Sequence, residues 1–283
     1  MARGLSRRAV LTALPLTLGL PGLAHAAAPG LSLSGKFVQG GYAVGRTAPR
    51  ATIDLDGQAL TTASADGWFV IGFDRDAPPS SILTITTPDG SAVDERLIAP
   101  GDFDIQRIDG LPPEQVSPTD PKLLERLAAE TARKLAGFAS QADLDGFREG
   151  FMLPVVGARR SARFGGQRIL NGEPKRPHYG VDLAVPVGTP VRAPASAIVA
   201  FAETDLHFEG GLLLMDHGQG LVSAYLHLSK IFVSPGAYVR QGDRVALTGR
   251  EGRATGPHLC WRLKWRGLNM DPSLLVGAGP FLS

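Results

Sequence analysis

Five side chains in the second half of the chain have the types and spacing of a metal site with acid–base partners. His178 and Asp182 stand four residues apart, His258 and Cys260 stand two apart, and His227 lies between these pairs. Side chains two or four residues apart in an extended segment point to one face, so each pair can converge. Imidazole, carboxylate and thiolate are the usual zinc ligands, and a catalytic zinc takes three of them plus an open position.

Each of these side chains also has a purely structural interpretation. His178 and Asp182 can be a packed histidine and a capping aspartate, and the other two histidines can be satisfied core residues. Cys260 is the single cysteine, which excludes an internal disulfide. A lone thiol in an exported protein is a buried inert residue, half of a disulfide with a partner, or a metal ligand. The spacing alone leaves these alternatives open.

The residues around the five side chains resemble the zinc peptidases of family M23, the LytM or lysostaphin type, which cut peptidoglycan cross-links. The resemblance covers about residues 163–272, and its motifs are the segments 163–166, 177–184, 225–228 and 256–260. One position departs from the family pattern. The family has His-x-His at its last motif, whereas this chain has His258-x-Cys260.

The resemblance implies a role for each of the five residues. His178, Asp182 and Cys260 would bind one Zn²⁺, while His227 and His258 would assist catalysis. Water is then the nucleophile, because zinc lowers the pKa of the water it binds to about 7. A neutral histidine can accept the proton, and a charged one can stabilise an oxyanion or protonate the leaving amine. A thiolate donates more charge than an imidazole, so we expect Cys260 to make the zinc a weaker Lewis acid.

We therefore expect an exported zinc metalloendopeptidase that hydrolyses peptide bonds in peptidoglycan stem peptides or cross-links. The alternative is a catalytically weak or inactive module of this type that binds cell wall or activates a cell-wall amidase. Such modules usually lose several site residues, whereas this chain keeps both catalytic-type histidines and two ligands of the usual type. The basic run that includes Arg159, Arg163, Arg168 and Lys175 either steers acidic stem peptides to the groove or forms a solvated loop.

The elements that position these residues are predicted to be mainly β. Residues 30–110 alternate in short strands, with turn signals at Asp56-Gly57 and at residues 88–90, which indicates a β-sandwich-like domain. Residues 111–150 are a linker and a helix. The helix begins with Asp120 as its N-cap and Pro121 in its first turn, and a second short helix is expected over 141–150.

Residues 152–283 are expected to form the peptidase domain, an M23-type β-sheet core. Strands are predicted over 197–202, 212–215, 221–228, 244–248 and 258–265. The segments 187–194 and 239–246 echo each other weakly. Such half-repeats resemble the biotinyl/lipoyl-like hybrid barrel seen inside the M23 fold.

Residues 1–26 are typical of a secretory signal. Three arginines lie at or before Arg8, an apolar run follows, and Ala24-His25-Ala26 is a small-x-small cleavage site. The segment 6–11 resembles a twin-arginine signal, with an ordinary secretory signal as the alternative. No later stretch is apolar enough to span a membrane. The expected location is the periplasm or the cell envelope.

The charge balance gives no reason to expect nucleic acid as a partner. The formal net charge of the whole chain is +2, and residues 1–26 contain three arginines and no acidic residue, so their removal leaves −1. A near-neutral chain lacks the excess positive charge that attracts the phosphate backbone of nucleic acids. Peptidoglycan is the expected partner.

Overall fold

A computed structural model describes residues 30–277 of the 283-residue chain. The signal predicted for residues 1–26 lies outside this range. The described part is mainly β, as predicted. None of its helices is both long enough and apolar enough to cross a lipid bilayer.

Seven antiparallel strands form two small sheets in the first part of the chain. They are β1 (Ser32–Gly35), β2 (Tyr42–Arg46), β3 (Thr52–Leu55), β4 (Gln58–Thr62), β5 (Trp68–Gly72), β6 (Ser80–Thr87) and β7 (Gly90–Leu97). The strand orders are β1-β2-β5 and β4-β3-β6-β7. Alternation buries one face of the second sheet, where Ile53 and Ile85 are paired and covered. The β3–β4 and β6–β7 hairpins turn at the predicted positions.

The segment that joins the small sheets to the second half of the chain contains one strand and two helical elements, and its strand pairs with a strand of the second half. Strand β8 (Ile105–Ile108) pairs in parallel with β10 (Gln167–Leu170). A single turn, α1 (Pro113–Val116), precedes α2 (Pro121–Phe138). The Asp120 side chain accepts a hydrogen bond of 2.9 Å from the backbone N–H of Lys122, which is the predicted N-cap.

The prediction of a second short helix over 141–150 is wrong for most of that range. Only a 3₁₀ turn at Gly146–Glu149 forms. The backbone N–H of Ala142 donates instead to the Asp216 carboxylate at 2.7 Å. The nearby Gly218 turn approaches Leu144 closely. Tertiary hydrogen bonding therefore replaces the helical bonds that the local sequence could have made.

Strand β11 (Glu173–Pro174) pairs with β10 and completes a small three-stranded sheet with β8. Ten further strands build the large sheet that carries the site. They are β9 (Arg159–Ala162), β12 (Val181–Ala184), β13 (Pro190–Arg192), β14 (Ala197–Leu206), β15 (Gly210–Asp216), β16 (Leu221–Ile231), β17 (Tyr238–Val239), β18 (Arg244–Thr248), β19 (His258–Trp265) and β20 (Leu268–Met270). A 3₁₀ turn covers Pro272–Leu274. The main path runs β17-β14-β15-β16-β19-β12-β9. The five predicted strands all form.

The two weakly similar segments lie side by side. Strands β13 and β18 come from them and pair antiparallel, with Val191 opposite Ala246. Both residues are fully buried. The half-repeat thus closes one corner of the β core, since β18 also pairs with β16.

The small sheets pack directly against the large one. Buried residues of both belong to one continuous apolar core that includes Phe69, Ile71 and Trp261. Gly72 in β5 leaves room for the Met270 sulfur, because a Cβ there would lie 2.1 Å from it. Arg75 donates a 2.7 Å hydrogen bond to the Gly165 carbonyl, close to the first ligand segment. The first sheets therefore support the backbone that presents the site.

Candidate metal centre

Two neighbouring strands and the segment before one of them carry the three predicted ligands. Asp182 in β12 and Cys260 in β19 are direct cross-strand partners, so their side chains share one face. His178 precedes β12, and its backbone exchanges hydrogen bonds of 2.8 Å with Gly165 and Gly166. This local ladder fixes the direction in which the imidazole points.

The three donor atoms converge. His178 Nε2 lies 3.1 Å from Asp182 Oδ1 and 3.3 Å from Cys260 Sγ. All three donor atoms lie within 4.8 Å of one another, and residues 30–277 contain no other group of three such residues placed this way. The His178 side chain is fully buried, and Cys260 is 1% exposed.

Two buried polar atoms of the centre have no hydrogen-bond partner. Asp182 Oδ1 and His178 Nδ1 are buried without one, since the 3.1 Å contact of Oδ1 with His178 lacks hydrogen-bond geometry. Buried polar atoms nearly always have a partner, so an unpartnered carboxylate oxygen beside an imidazole nitrogen and a sulfur is the arrangement expected of a cation-binding site. Ligand atoms of a tetrahedral zinc ion lie about 3.4–3.6 Å apart, close to the spacing seen here. The donor set fits zinc.

Two of the three predicted ligands have the protonation state that metal binding would need. Burial lowers the pKa of His178 to about 4, so its imidazole is neutral at pH 7. Burial would raise the pKa of Asp182, but the contacts with His178, His258 and Arg168 outweigh it and hold the pKa below its usual range. Burial, aided by Asp182, raises the pKa of Cys260 to about 12. A bound metal ion would therefore be needed to ionise this thiol at neutral pH.

His227 is held in a strained backbone conformation. Its φ is 65°, a left-handed value that side chains with a Cβ adopt rarely. Its backbone N–H donates to the Glu209 carbonyl at 2.8 Å, and its Nδ1–H donates to the Glu251 carbonyl at 2.7 Å. Burial and repulsion from His258 lower the pKa of His227 to about 3. The ring is thus neutral, with its Nε2 lone pair free.

His258 lies beside His227 at the edge of the centre. The two ring centroids are 4.6 Å apart. The Nδ1–H of His258 donates to the Gly256 carbonyl at 2.8 Å, and its Nε2 lies 3.7 Å from Asp182 Oδ1. A carbonyl can only accept, so the neutral ring carries its proton on Nδ1 and presents Nε2 to the centre.

The other two described histidines lie apart from this group. His217 lies at the β15–β16 turn, where its side chain is fully buried. Its Nδ1–H donates to the Ser196 carbonyl at 3.1 Å, and its Nε2 lies 2.7 Å from the Ser223 hydroxyl. His207 lies 3.3 Å from the Glu114 carbonyl and packs edge-on against Phe208.

Three arginines that the motifs did not single out as site residues surround the centre. Arg168 Nη2 lies 3.8 Å from Asp182 Oδ2, and Arg262 Nε lies 3.5 Å from the Cys260 sulfur. Arg253 lines the same cavity. Only Arg168 belonged to the basic run noted in the sequence. It lines an open groove of about 650 Å³ that also reaches His258 and Asp182.

Comparison with known proteins matches residues 176–272 to the model of peptidase family M23. The peptidoglycan DD-endopeptidase ShyA of Vibrio cholerae is 42% identical over 91 residues, which is 32% of this chain and 21% of that protein. The DD-carboxypeptidase/endopeptidase Mpg of Neisseria gonorrhoeae is 34% identical over 119 residues, 42% of this chain and 27% of that protein. The chain thus spans about a fifth to a quarter of the length of these relatives.

A solved structure matches most of the chain. It belongs to a protein from Pseudomonas aeruginosa described as a peptidase of family M23, with a TM-score of 0.65 and 28% identity. The match covers 86% of this chain and 96% of that one. The likeness therefore extends over the small sheets and the linker as well as over the large sheet.

Proposed function

From the match of residues 176–272 to peptidase family M23, we propose that this chain is an exported zinc metalloendopeptidase. Its substrates would be peptide bonds in peptidoglycan stem peptides or cross-links. The observation that carries the proposal is the convergence of His178, Asp182 and Cys260 beside the paired histidines His227 and His258.

In this proposal His178, Asp182 and Cys260 hold the zinc ion. A zinc ion held by these residues would supply Lewis acidity for polarising a substrate carbonyl and for making water a better nucleophile at neutral pH. Three protein ligands leave one position open, which is the pattern of catalytic rather than structural zinc sites. The Arg262 guanidinium 3.5 Å from the sulfur supports the thiolate form of Cys260.

The two histidines would move protons. Each donates its Nδ1–H to a backbone carbonyl, which fixes the ring and leaves Nε2 as the basic atom. One Nε2 can accept a proton from the attacking water, and the resulting imidazolium can give it to the leaving amine. The left-handed φ of His227 is backbone strain of the kind that accumulates at functional positions.

Peptidoglycan as the substrate is supported by the names of the relatives, which act on peptidoglycan. Export remains a proposal based on residues 1–26. We also propose the division into a β-sandwich-like domain over 30–110, a linker with a helix over 111–150 and a peptidase domain over 152–283. The packing of Met270 against Gly72 supports a bracing role for the first domain.

The alternative, an inactive module that binds wall or activates an amidase, is not favoured. Such a module has no need of three converging ligand atoms and two oriented histidines. The deciding experiment is elemental analysis of the purified protein followed by digestion of isolated peptidoglycan sacculi. We expect one zinc per chain and release of soluble muropeptides that stops on chelation. Absence of zinc, with no uptake when it is added, contradicts the enzyme proposal.

A further inference from the structure

A small cavity next to the metal centre is lined by three arginines. Its volume is about 140 Å³, and Arg168, Arg253 and Arg262 line it together with Cys260 and His227. The Arg168 side chain is 17% exposed, and its Nε is buried without a hydrogen-bond partner. The guanidinium groups therefore face the same enclosed space in which a scissile bond would lie.

The charges around this cavity do not balance. Asp182 and Glu209 are the carboxylates that line it, and Cys260 would add a third negative charge as a thiolate. Glu209 is already paired with Lys134 at 2.8 Å, and Asp182 and Cys260 would share their charges with the metal. Burial lowers the pKa of Arg253 to about 10, and repulsion from Arg168 and Arg262 adds to the effect. Desolvated cations of one sign are costly unless an anion joins them, so the cavity lacks a negative partner.

The linker closes one side of the same cavity. Ile108 and Leu111 belong to its lining. The Leu111 N–H donates to Asn171 Oδ1 at 3.1 Å, and the Asn171 Nδ2–H donates to the Leu111 carbonyl at 2.7 Å. Arg253 donates to the Gln115 carbonyl at 2.8 Å on the other side. A substrate main chain therefore has little room to continue in this direction.

We propose that Arg168, Arg253 and Arg262 form a carboxylate subsite that recognises a free carboxylate on the leaving-amine side of the scissile bond. This inference rests on the proposed function and deepens it. The group in the subsite would be the carboxylate on the carbon that bears the leaving nitrogen. Guanidinium groups bind carboxylates through strong, charge-assisted hydrogen bonds.

Two kinds of peptidoglycan bond carry such a carboxylate. One is the terminal peptide bond of a stem peptide with a free C-terminus. The other is a cross-link through the amine of a diamino acid that keeps a carboxylate on the same carbon. Hydrolysis is the same in both. Water adds to the carbonyl carbon, the C–N bond breaks, and a proton passes to the nitrogen, which leaves as the amine of a free amino acid residue.

The test compares substrates that differ in one group. The zinc-loaded full chain is given a stem peptide with a C-terminal carboxylate, the same peptide as its carboxamide, and a diamino-acid cross-linked peptide in both forms. We expect kcat/KM to be about 10- to 100-fold higher for each carboxylate than for its carboxamide. The carboxylate substrate with the higher kcat/KM shows whether the subsite serves the terminal stem-peptide bond or the diamino-acid cross-link.

Arginine variants then test whether the preference for carboxylate over carboxamide substrates depends on the arginines of the cavity. Arg253→Gln should reduce the ratio of kcat/KM for the carboxylate to kcat/KM for the carboxamide about tenfold or more, and Arg253→Lys should restore part of that ratio. The matched control is Arg192→Gln, which removes an arginine that donates to the Gly242 carbonyl at 2.7 Å outside the cavity. Zinc content and thermal unfolding of each variant report whether the fold is intact.

Equal kcat/KM for acid and amide in the wild type overturns the subsite while leaving peptidoglycan hydrolysis in place. If no substrate and no peptidoglycan is cleaved, the proposed function itself fails. The subsite is then judged by calorimetric titration of the zinc-loaded protein with the short acid and its amide. Acid binding at least about tenfold tighter supports the subsite, and equal binding removes it.

Discussion

Leu226 and Cys260 stand directly opposite each other in the antiparallel pair of β16 and β19. Cross-strand partners share a face of the sheet, so strand alternation would turn the next side chain, His227, to the opposite face. The positive φ of His227 breaks this alternation and places its ring 4.6 Å from that of His258. The proximity of these two histidine rings thus depends on one backbone irregularity.

The irregularity makes His227 variants informative. His227→Ala should keep zinc but lower turnover about 10²–10⁴-fold, the usual loss when a general acid or base is removed. His227→Gly should be equally inactive yet more stable than His227→Ala by about 1 kcal/mol, because glycine adopts a left-handed φ without strain. Peptide hydrolysis, zinc analysis and urea unfolding measure the three effects. Loss of zinc in His227→Ala would make this residue a ligand instead.

The contact of Gly180 with the centre gives a prediction for ligand packing. A Cβ on Gly180 would lie 2.9 Å from the Trp261 carbonyl oxygen and 3.1 Å from the Cys260 sulfur. Gly180→Ala should therefore destabilise the fold by about 1–3 kcal/mol and weaken zinc binding, since β19 must shift. Gly256→Ala is the matched control, because a Cβ there meets nothing within 4 Å. Equal zinc affinity in both variants contradicts the prediction.

The sequence predicted those parts of the site that follow regular alternation. His258 and Cys260 share a face because they are two apart in one strand, and Asp182 joins them through its cross-strand pairing. The left-handed φ of His227 leaves no local sign in the sequence, because histidine does not require it. The position of the ring could be anticipated only from the resemblance to the family.

The arginine cavity was beyond sequence reasoning for a different reason. Arg168, Arg253 and Arg262 come from three separate segments, and only tertiary packing brings them together. The same holds for the linker, where pairing of β8 with β10 joins residues about 60 positions apart in sequence. The hairpins of the first sheets, by contrast, were predictable because turn residues such as Asp56-Gly57 act locally.

Buried His217 makes stability depend on pH. Burial lowers its pKa from 6.5 to about 4 in the folded protein, so the unfolded chain binds the proton more readily. Its contribution is present above pH 6.5 and is lost as the pH falls toward 4, by about 2 kcal/mol between pH 7 and pH 5. Urea unfolding of the zinc-loaded protein should show this loss. The His217→Asn variant should show a flatter dependence, and an identical slope in both proteins contradicts the assignment.

The role of Cys260 is open to a direct chemical test. With zinc bound, the thiol should resist an alkylating reagent, and after chelation it should react faster, since the metal no longer covers the sulfur. Alkylation in denaturant gives the reference rate for a fully exposed thiol, because Cys260 is only 1% exposed in the folded protein. Mass spectrometry of the modified chain gives the rates. Equal alkylation with and without zinc places the sulfur outside the metal's coordination.

Substitutions at Cys260 extend that test to catalysis. Cys260→Ser should weaken zinc binding, because a neutral hydroxyl replaces a thiolate. Cys260→His should bind zinc again where the strand leaves room for the larger side chain, since an imidazole is a usual zinc ligand. Hydrolysis by this variant should be as fast as or faster than wild type, because an imidazole donates less charge and leaves the metal a stronger Lewis acid. Unchanged zinc affinity in Cys260→Ser leaves the centre with two protein ligands, and the inactive wall-binding module then becomes the better description.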